Sequence, residues 1–389
     1  MSQAEQSTGE RPPNPGVPSP VGFERAVVVQ TAFVGDVVFA SPVVAALKAA
    51  RPGSHLAMLV RPDKAEVAAC IPGVDEVLTW DKHGSDGGTL GIVRVARRLR
   101  QAGFDLLISP HRSLRSALLA RFSGIPVRVG HRGGLRSACY THGRRPDPGE
   151  PNPLLQDLAL LEAVGIQPAG TRLRLRTPGG QSQYLQDFYR RHNLPEDARL
   201  AALCIGSVWP TKRWPPVYFA SLAESLRARG WHPILFGSQD ELPLARRIEE
   251  NAREGLLSCV GNTLAESAAL LERARLAVGG DTGLMHMARA LGTACVLIYG
   301  PTDARMHSFG DETRVLVARV KCRPCSRHGH LECPEGHHDC MRLVSPEQVM
   351  DEVRTLVGVQ TPPPGGLTPT PRALRAAAEP HDGSERGAP

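Results

Sequence analysis

The stretch VGGDTGLMHMARALGTACVLIYGPTD, residues 278–303, carries a strand, a tight turn, a helix and a second strand in one pass. An apolar run from Leu276 ends at Gly279 and Gly280. Asp281, Thr282 and Gly283 make the turn. A helical pattern runs from 283 to 291, and ACVLIYG (294–300) is apolar again. Strand, helix and strand at these lengths are the repeating unit of a parallel sheet. Open sheets of this kind bind ligands at the carboxyl ends of their strands. Asp281 to His286 stand at such an end.

The same alternation extends in both directions. Upstream, RAVVVQ (25–30), HLAMLV (55–60), EVLTW (76–80), DLLIS (105–109) and VRVG (127–130) read as strands, with helical patterns between them. Ser113 opens the helix SLRSALLARFSG. A second series begins with LAALCIG (200–206) and continues through HPILFGS and LAVGGD (276–281) to ACVLIYG. Its last helix, SPEQVMDEVRTLV, has Ser at the N-cap, Pro next and Gln at the third helical position. The pattern predicts an α/β fold of two Rossmann-like, doubly wound domains facing a central cleft. Domains are expected at 23–180 and 181–360, with disordered segments at 1–22 and 361–389. Both ends are polar and Pro-rich.

Bulk properties bound the function. At 389 residues the chain suits two domains. A net charge of +7 suggests an acidic partner. No run of eighteen apolar residues occurs, and the N-terminus lacks a basic segment followed by an apolar core. A cytoplasmic protein is expected. Cys70, Cys204, Cys259 and Cys295 sit in or beside apolar runs, as reduced core cysteines do.

Three stretches are candidates for chemistry. In VVVQTAFVGD, Asp36 follows the first strand; it reads either as a helix cap or as a general base facing the cleft. In CIGSVWPTKRWPP, Gly206 and Ser207 end a strand and Lys212 follows. Small residues admit an anion to backbone amides, and Lys adds a point charge. In GGDTGLMHMARALG, the amides of Thr282, Gly283 and Leu284 open a helix whose positive end suits a diphosphate. There Met285 and His286 follow, with His286 placed to donate to a phosphate or sugar oxygen. Capping by Asp281 and a core role for His286 are the structural alternatives. The P-loop, GxGxxG and GxSxG patterns are absent, which disfavours P-loop ATPases, dinucleotide enzymes and α/β-hydrolases.

Together these stretches resemble glycosyltransferase family nine, the heptosyltransferases of lipopolysaccharide core assembly. VGDVVFASPVVAALKAARPG, PGVDEVLTWD, RSALLARFSGIPVRVG, KRWPP, VGGDTGLMHMARALGTACVLIYGPTD and CPEGHHDCM…SPEQV carry the resemblance over about residues 24–358. RSALLARFSGIPVRVG and KRWPP are most similar to the second heptosyltransferase of that family. The resemblance implies a GT-B fold and an inverting transfer of heptose from ADP-heptose with no catalytic metal. It implies Asp36 as base, Lys212 on the donor phosphate, and the turn from Asp281 to His286 around diphosphate and heptose. An acidic residue after the preceding strand, Asp240 or Glu241, is implied at the adenosine, with Glu241 taken as the candidate. TAFVGD carries Ala32 and Phe33 where the family often has Ser nearby.

Residues 94–145 hold twelve arginines and one aspartate. A solvated face is the ordinary reading of such a cluster. Arg112, Arg115, Arg132 and Arg136 fall at strand ends and loop starts, however. The implied acceptor, a lipid A–Kdo type molecule on the inner membrane, carries carboxylates and phosphates that Arg reads bidentately. Few aromatics and no recognisable motif speak against nucleic acid. CRPCSRHGHLECPEGHHDC places Cys322, Cys325, Cys333 and Cys340 within nineteen residues. Structural zinc is one reading, weakened because the second pair is not CxxC; a reduced loop and, less readily in the cytoplasm, disulfides are the alternatives, and no catalytic metal is expected. The rivals are a GT-B enzyme with another sugar nucleotide or acceptor, a nucleotide-sugar epimerase, and a non-catalytic anion-binding protein at the membrane surface.

Overall fold

A computed structural model describes residues 21–168, 170–177 and 179–358. The disorder expected for residues 1–20 and 361–389 falls outside the described residues. At 21–22 the expectation fails. The Val21 amide donates to the Val164 carbonyl at 3.0 Å, and the neighbouring Phe23 is buried. Both side chains are apolar, and packing holds this end of the segment.

The first sheet contains β1 (Arg25–Val29), β2 (His55–Val60), β3 (Glu76–Thr79), β4 (Leu106–Ser109) and β5 (Val127–Gly130), in the order β3-β2-β1-β4-β5. The second contains β6 (Arg199–Cys204), β7 (Trp231–Phe236), β8 (Leu257–Ser258), β9 (Leu276–Gly280), β10 (Ala294–Tyr299) and β11 (Thr313–Val317), in the order β11-β10-β9-β6-β7-β8. Every pairing is parallel. Helices cover both faces, so the central strands are apolar throughout: Ala26 to Val29 and Leu200 to Leu203 are fully buried. Each sheet starts in its middle, winds to one side and then crosses back. The order therefore reverses between β1 and β4, and again between β6 and β9. Crevices open outside the strand ends at such reversals.

Two strands lack a signal in the sequence. β8 spans two residues. β11 is an edge strand, half-exposed and interrupted by Arg314, so it lacks the apolar run of its neighbours.

The halves are tied together. The connecting segment buries Leu173 and Leu175 and turns its arginines outward. Its Leu175 amide donates to the Ala290 carbonyl at 2.9 Å, while the Arg176 amide donates to the Cys70 carbonyl at 2.8 Å. One strap thus bonds to both halves. A single apolar cluster runs from Val28 and Leu56 in the first half to Leu270, Met287 and Leu297 in the second. No helix among the described residues is long and apolar enough to cross a membrane.

Candidate active site

The segments that follow β1, β4, β6, β7 and β9 line one cleft of about 1280 Å³. That exceeds the usual span of small-ligand pockets, roughly 300–1,000 Å³. It leaves room for a nucleotide sugar and part of a second substrate.

Two helix-opening turns meet in this cleft. The helix Val34–Phe39 begins just past β1, and the helix Gly283–Leu291 just past β9. A Cβ on Gly283 would lie 2.8 Å from Val34 Cβ, and one on Gly35 would lie 3.0 Å from the His286 ring. Glycine at both positions lets the turns interlock. Asp36 and the 281–286 turn therefore share a groove, as a site built between two domains requires.

Asp36 is the third residue of its helix, one turn past the cap position. Its Oδ2 accepts from the Phe33 amide at 3.0 Å. This is half of a capping box, because Phe33 has no side-chain acceptor to complete it. Phe33, not Asp36, is thus the cap residue, and the Asp36 carboxylate both holds the Phe33 amide and lines the cleft. Burial raises its pKa to about 6. The Phe33 amide pulls the other way, Asp157 and Asp281 add repulsion, and Lys212 offsets part of it.

Asp281 has the opposite surroundings. Its Oδ2 lies 2.5 Å from Lys212 Nζ and accepts from the Thr302 hydroxyl at 3.0 Å. Its Oδ1 lies 3.1 Å from His286 Nε2 and 3.6 Å from His307 Nε2. Burial alone would raise this pKa, but the His286 hydrogen bond and the Lys212 charge hold it well below the usual carboxylate range. Arg289 approaches His286 Nδ1 at 3.3 Å and can only donate. His286 therefore carries its proton on Nε2 and donates it to Asp281. Its expected donation to substrate is not available in this arrangement. Met285 also departs from expectation. It is fully buried in the apolar cluster, packed toward Gly279 on β9 rather than facing the cleft. Leu284 and Thr282 do line the cleft. The Thr282 hydroxyl makes no capping hydrogen bond.

At the other end, Gly206, Ser207 and Glu241 form a second corner. A Cβ on Gly206 would overlap the Glu241 carboxylate at 1.8 Å. Glycine at 206 is thus what lets Glu241 reach the cleft. The Ser238 amide donates to Glu241 Oε2 at 2.7 Å, and Arg213 stands 3.8 Å from Oε1. Glu241 is buried and oriented, whereas Asp240 beside it is exposed.

The four arginines separate. Arg112 is half-buried, lines the cleft and donates to Gln156 Oε1 at 2.8 Å. Arg136 supports it from behind by donating to the Arg112 carbonyl at 2.5 Å. Arg132 donates to the Thr141 carbonyl, and Arg115 reaches the Lys82 carbonyl. Neither Arg115, Arg132 nor Arg136 lines the cleft. Those three guanidiniums sit on backbone oxygens instead.

Further contributors carry no signal in the sequence. His307 stacks on Phe39 with ring centroids 4.9 Å apart, and burial lowers its pKa to about 3. Asp157 is buried against His131 at 2.7 Å and lines the cleft near Asp36. Arg327 and His328 arrive from the cysteine-rich loop. All four lie in irregular segments or on a helix face with no motif around them.

Among the described residues, the trio Asp281, His286 and His307 brings ligand atoms within 4.8 Å of one another. A cation there would compete with the Lys212 ammonium already bonded to Asp281. The thiols of Cys322, Cys325, Cys333 and Cys340 form no such group. Cys340 is buried and Cys325 exposed, and the Arg323 guanidinium donates to the Gly300 and Thr302 carbonyls.

Residues 92–335 match the family described as "Glycosyltransferase family 9 (heptosyltransferase)". The chain belongs to glycosyltransferase family 9. The lipopolysaccharide heptosyltransferase 2 of Escherichia coli (strain K12) is 26% identical over 351 residues, 86% of this chain and 98% of that protein. The lipopolysaccharide heptosyltransferase 1 of Pseudomonas aeruginosa is 28% identical over 310 residues, 77% of this chain and 86% of that one. A solved glycosyl transferase family 9 protein from Veillonella parvula superimposes with a TM-score of 0.77 at 25% identity, covering 86% of this chain and 97% of that one. This family 9 chain is a glycosyltransferase of GT-B fold, and its interlocked turns form the heart of the cleft.

Proposed function

We propose that this family 9 enzyme transfers L-glycero-D-manno-heptose from ADP-heptose to the inner core of lipopolysaccharide, with inversion and without a catalytic metal. The observation that carries the reading is the contact between the Asp36 turn and the 281–286 turn, with Lys212 beside them. One half contributes a carboxylate poised to take a proton, and the other gathers positive charge for a leaving diphosphate.

Asp36 Oδ removes the proton of an acceptor hydroxyl as that oxygen attacks the anomeric carbon from the face opposite the ADP. The anomeric C–O bond breaks, and its electron pair leaves with the β-phosphate. Lys212 and the amides from Thr282 to Leu284 meet that growing charge. Each well-placed group of this kind is worth ~3–4 kcal/mol in a water-poor cleft. Metal independence is supported by Lys212, which already supplies a cation at the Asp281 carboxylate. Glu241 is oriented to accept from the ribose hydroxyls.

The acceptor enters from the Arg112 side. Peripheral contact with an anionic membrane is supported by Leu90, Phe122 and Leu135, which are 79%, 47% and 80% exposed among Arg94, Arg97 and Arg121. Such an enzyme would work at the cytoplasmic face of the inner membrane.

Donor screening tests the reading. ADP-heptose, ADP-glucose and UDP-glucose are compared for nucleotide release, with and without a lipid-core acceptor. Release from ADP-heptose, stimulated by acceptor, is expected. Equal turnover of all three donors would remove ADP-heptose from the proposal.

A further inference from the structure

The cleft has a neighbour. A second cavity of about 620 Å³ is lined by Arg112, Pro146 and Gln156 from the first half and by Asp303, Pro324 and Arg327 from the second. Arg112, Met306 and Arg327 line both spaces. The two guanidiniums, one from each half of the molecule, thus flank the junction where the cleft opens into the side cavity.

Arg327 is delivered there by a firmly held loop. The Cys325 and Ser326 amides both donate to the Pro301 carbonyl, at 3.0 and 3.2 Å. Ser326 Oγ accepts from the His328 and Gly329 amides. The His330 amide and the Thr211 hydroxyl then tie the loop to the segment carrying Lys212, at 2.8 Å. Gly329 is packed so closely on Trp209 that a Cβ would lie 2.6 Å away. Yet among the described residues the Arg327 side chain has no hydrogen-bond or ion-pair partner. Arg112 has only the neutral Gln156.

Asp147, Glu150 and Asp303 also line the side cavity and keep their charges, but each is oriented by another donor. Asp303 is held by Arg305 at 2.7 Å, Glu150 accepts from the Asn152 amide at 2.8 Å, and Asp147 from the Gly149 amide at 2.8 Å. Asp157 is bonded to His131 at 2.7 Å. Burial lowers the pKa of Arg112, Asp157 pulls it back up, and Arg327 and then Arg136 add repulsion. An anion between Arg112 and Arg327 would relieve their mutual repulsion.

We propose that Arg112 and Arg327 together form an anion subsite, which holds a carboxylate or phosphate of the acceptor next to the reacting hydroxyl. The proposal deepens the function stated above and rests on its acceptor being anionic. It assigns part of acceptor recognition to the half that holds the donor. An acceptor gripped there bridges both halves at the mouth of the cleft.

Two measurements test it. First, with ADP saturating to occupy the Lys212 corner, inorganic phosphate is titrated and the melting temperature followed. Phosphate is expected to stabilise the wild type and to lose most of that effect in both Arg112→Gln and Arg327→Gln. Equal stabilisation of all three proteins overturns the subsite, whatever the sugar donor proves to be. Second, acceptor KM is measured for wild type and Arg327→Gln with intact, carboxyl-reduced and dephosphorylated acceptor. The variant is expected to raise KM for intact acceptor about tenfold, as loss of a charge-assisted hydrogen bond does, with ADP affinity unchanged. The difference should vanish for whichever modified acceptor lacks the recognised group. An unchanged acceptor KM, or a loss confined to ADP affinity, overturns the assignment.

Discussion

Asp36 and Asp281 occupy equivalent places in the two halves. Each follows a central strand, opens onto a helix and faces the same cleft. Their surroundings push them apart. Asp36 has one amide donor and two carboxylates nearby, so its pKa, raised first by burial, reaches about 6. Asp281 has an ammonium, a hydroxyl and two imidazoles around it, so its pKa falls well below the usual range. Two carboxylates driven in opposite directions mark which can exchange a proton and which stays an anion. The first suits a base near neutral pH. The second is an anchor that aims Lys212.

The comparison breaks most sharply at Asp36. Asp36→Asn preserves the acceptor for the Phe33 amide and removes the charge. Turnover is expected to fall about a thousandfold, in line with loss of a general base, with ADP affinity intact by calorimetry. Near-normal turnover would leave the anchor without a base to complement. For the wild type, kcat/KM should fall tenfold per unit as the pH drops below about 6. A flat profile would count equally against Asp36 as the base.

Asp281 should fail differently. Asp281→Ala leaves Lys212 in a largely buried site without its partner. Removing one member of a buried pair costs about 3–5 kcal/mol. Chemical denaturation should show that loss together with weakened ADP binding. A variant that loses turnover but keeps full stability would contradict the anchoring role.

Glycine contacts give a smaller effect. Gly206→Ala places a methyl where the Glu241 carboxylate now sits, 1.8 Å away. Glu241 must move, and ADP affinity should drop roughly tenfold, the scale of one hydrogen bond to a charged group. Asp240→Ala, whose side chain is exposed, is expected to change little. The reverse pattern would place the adenosine on Asp240.

These contrasts also explain what the sequence discloses. Apolar strands and glycine-ended turns are local, so every strand but β8 and β11, the Ser113 and Ser345 caps and the helix 283–291 are readable from residue order. The candidate positions of Asp36, Lys212 and Asp281 follow from the same rule, that strand ends face the crevice, whereas Glu241 rests on the family resemblance. What residue order does not encode is who meets whom. Motif position points His286 at substrate, but Arg289 one turn later decides its tautomer. Met285 sits between two cleft residues, yet helical geometry turns it to the core. His307, Asp157 and Arg327 reach the cleft from segments without a motif, and Arg327 meets Arg112 from the opposite half. Arg115, Arg132 and Arg136 are spent on carbonyls that only the folded loops bring near.

The smallest effect is the most discriminating. A carboxylate whose folded pKa exceeds its unfolded value binds the proton better in the native state. Stability from such a group is complete below the unfolded value of 3.8 and is lost as the pH rises toward about 6. Asp36 should therefore destabilise the enzyme above pH 6. Asp36→Asn, inactive though it is, should melt a few degrees higher than wild type at pH 8, and the gain should vanish near pH 4. Asp281 runs the other way, since its lowered pKa contributes stability above 3.8 that is lost on acidification. An Asp36→Asn variant that melted lower than wild type at pH 8 would mean that the charge is compensated after all. The carboxylate would then be a second anchor, and the asymmetry between the two turns would lie somewhere other than in their protons.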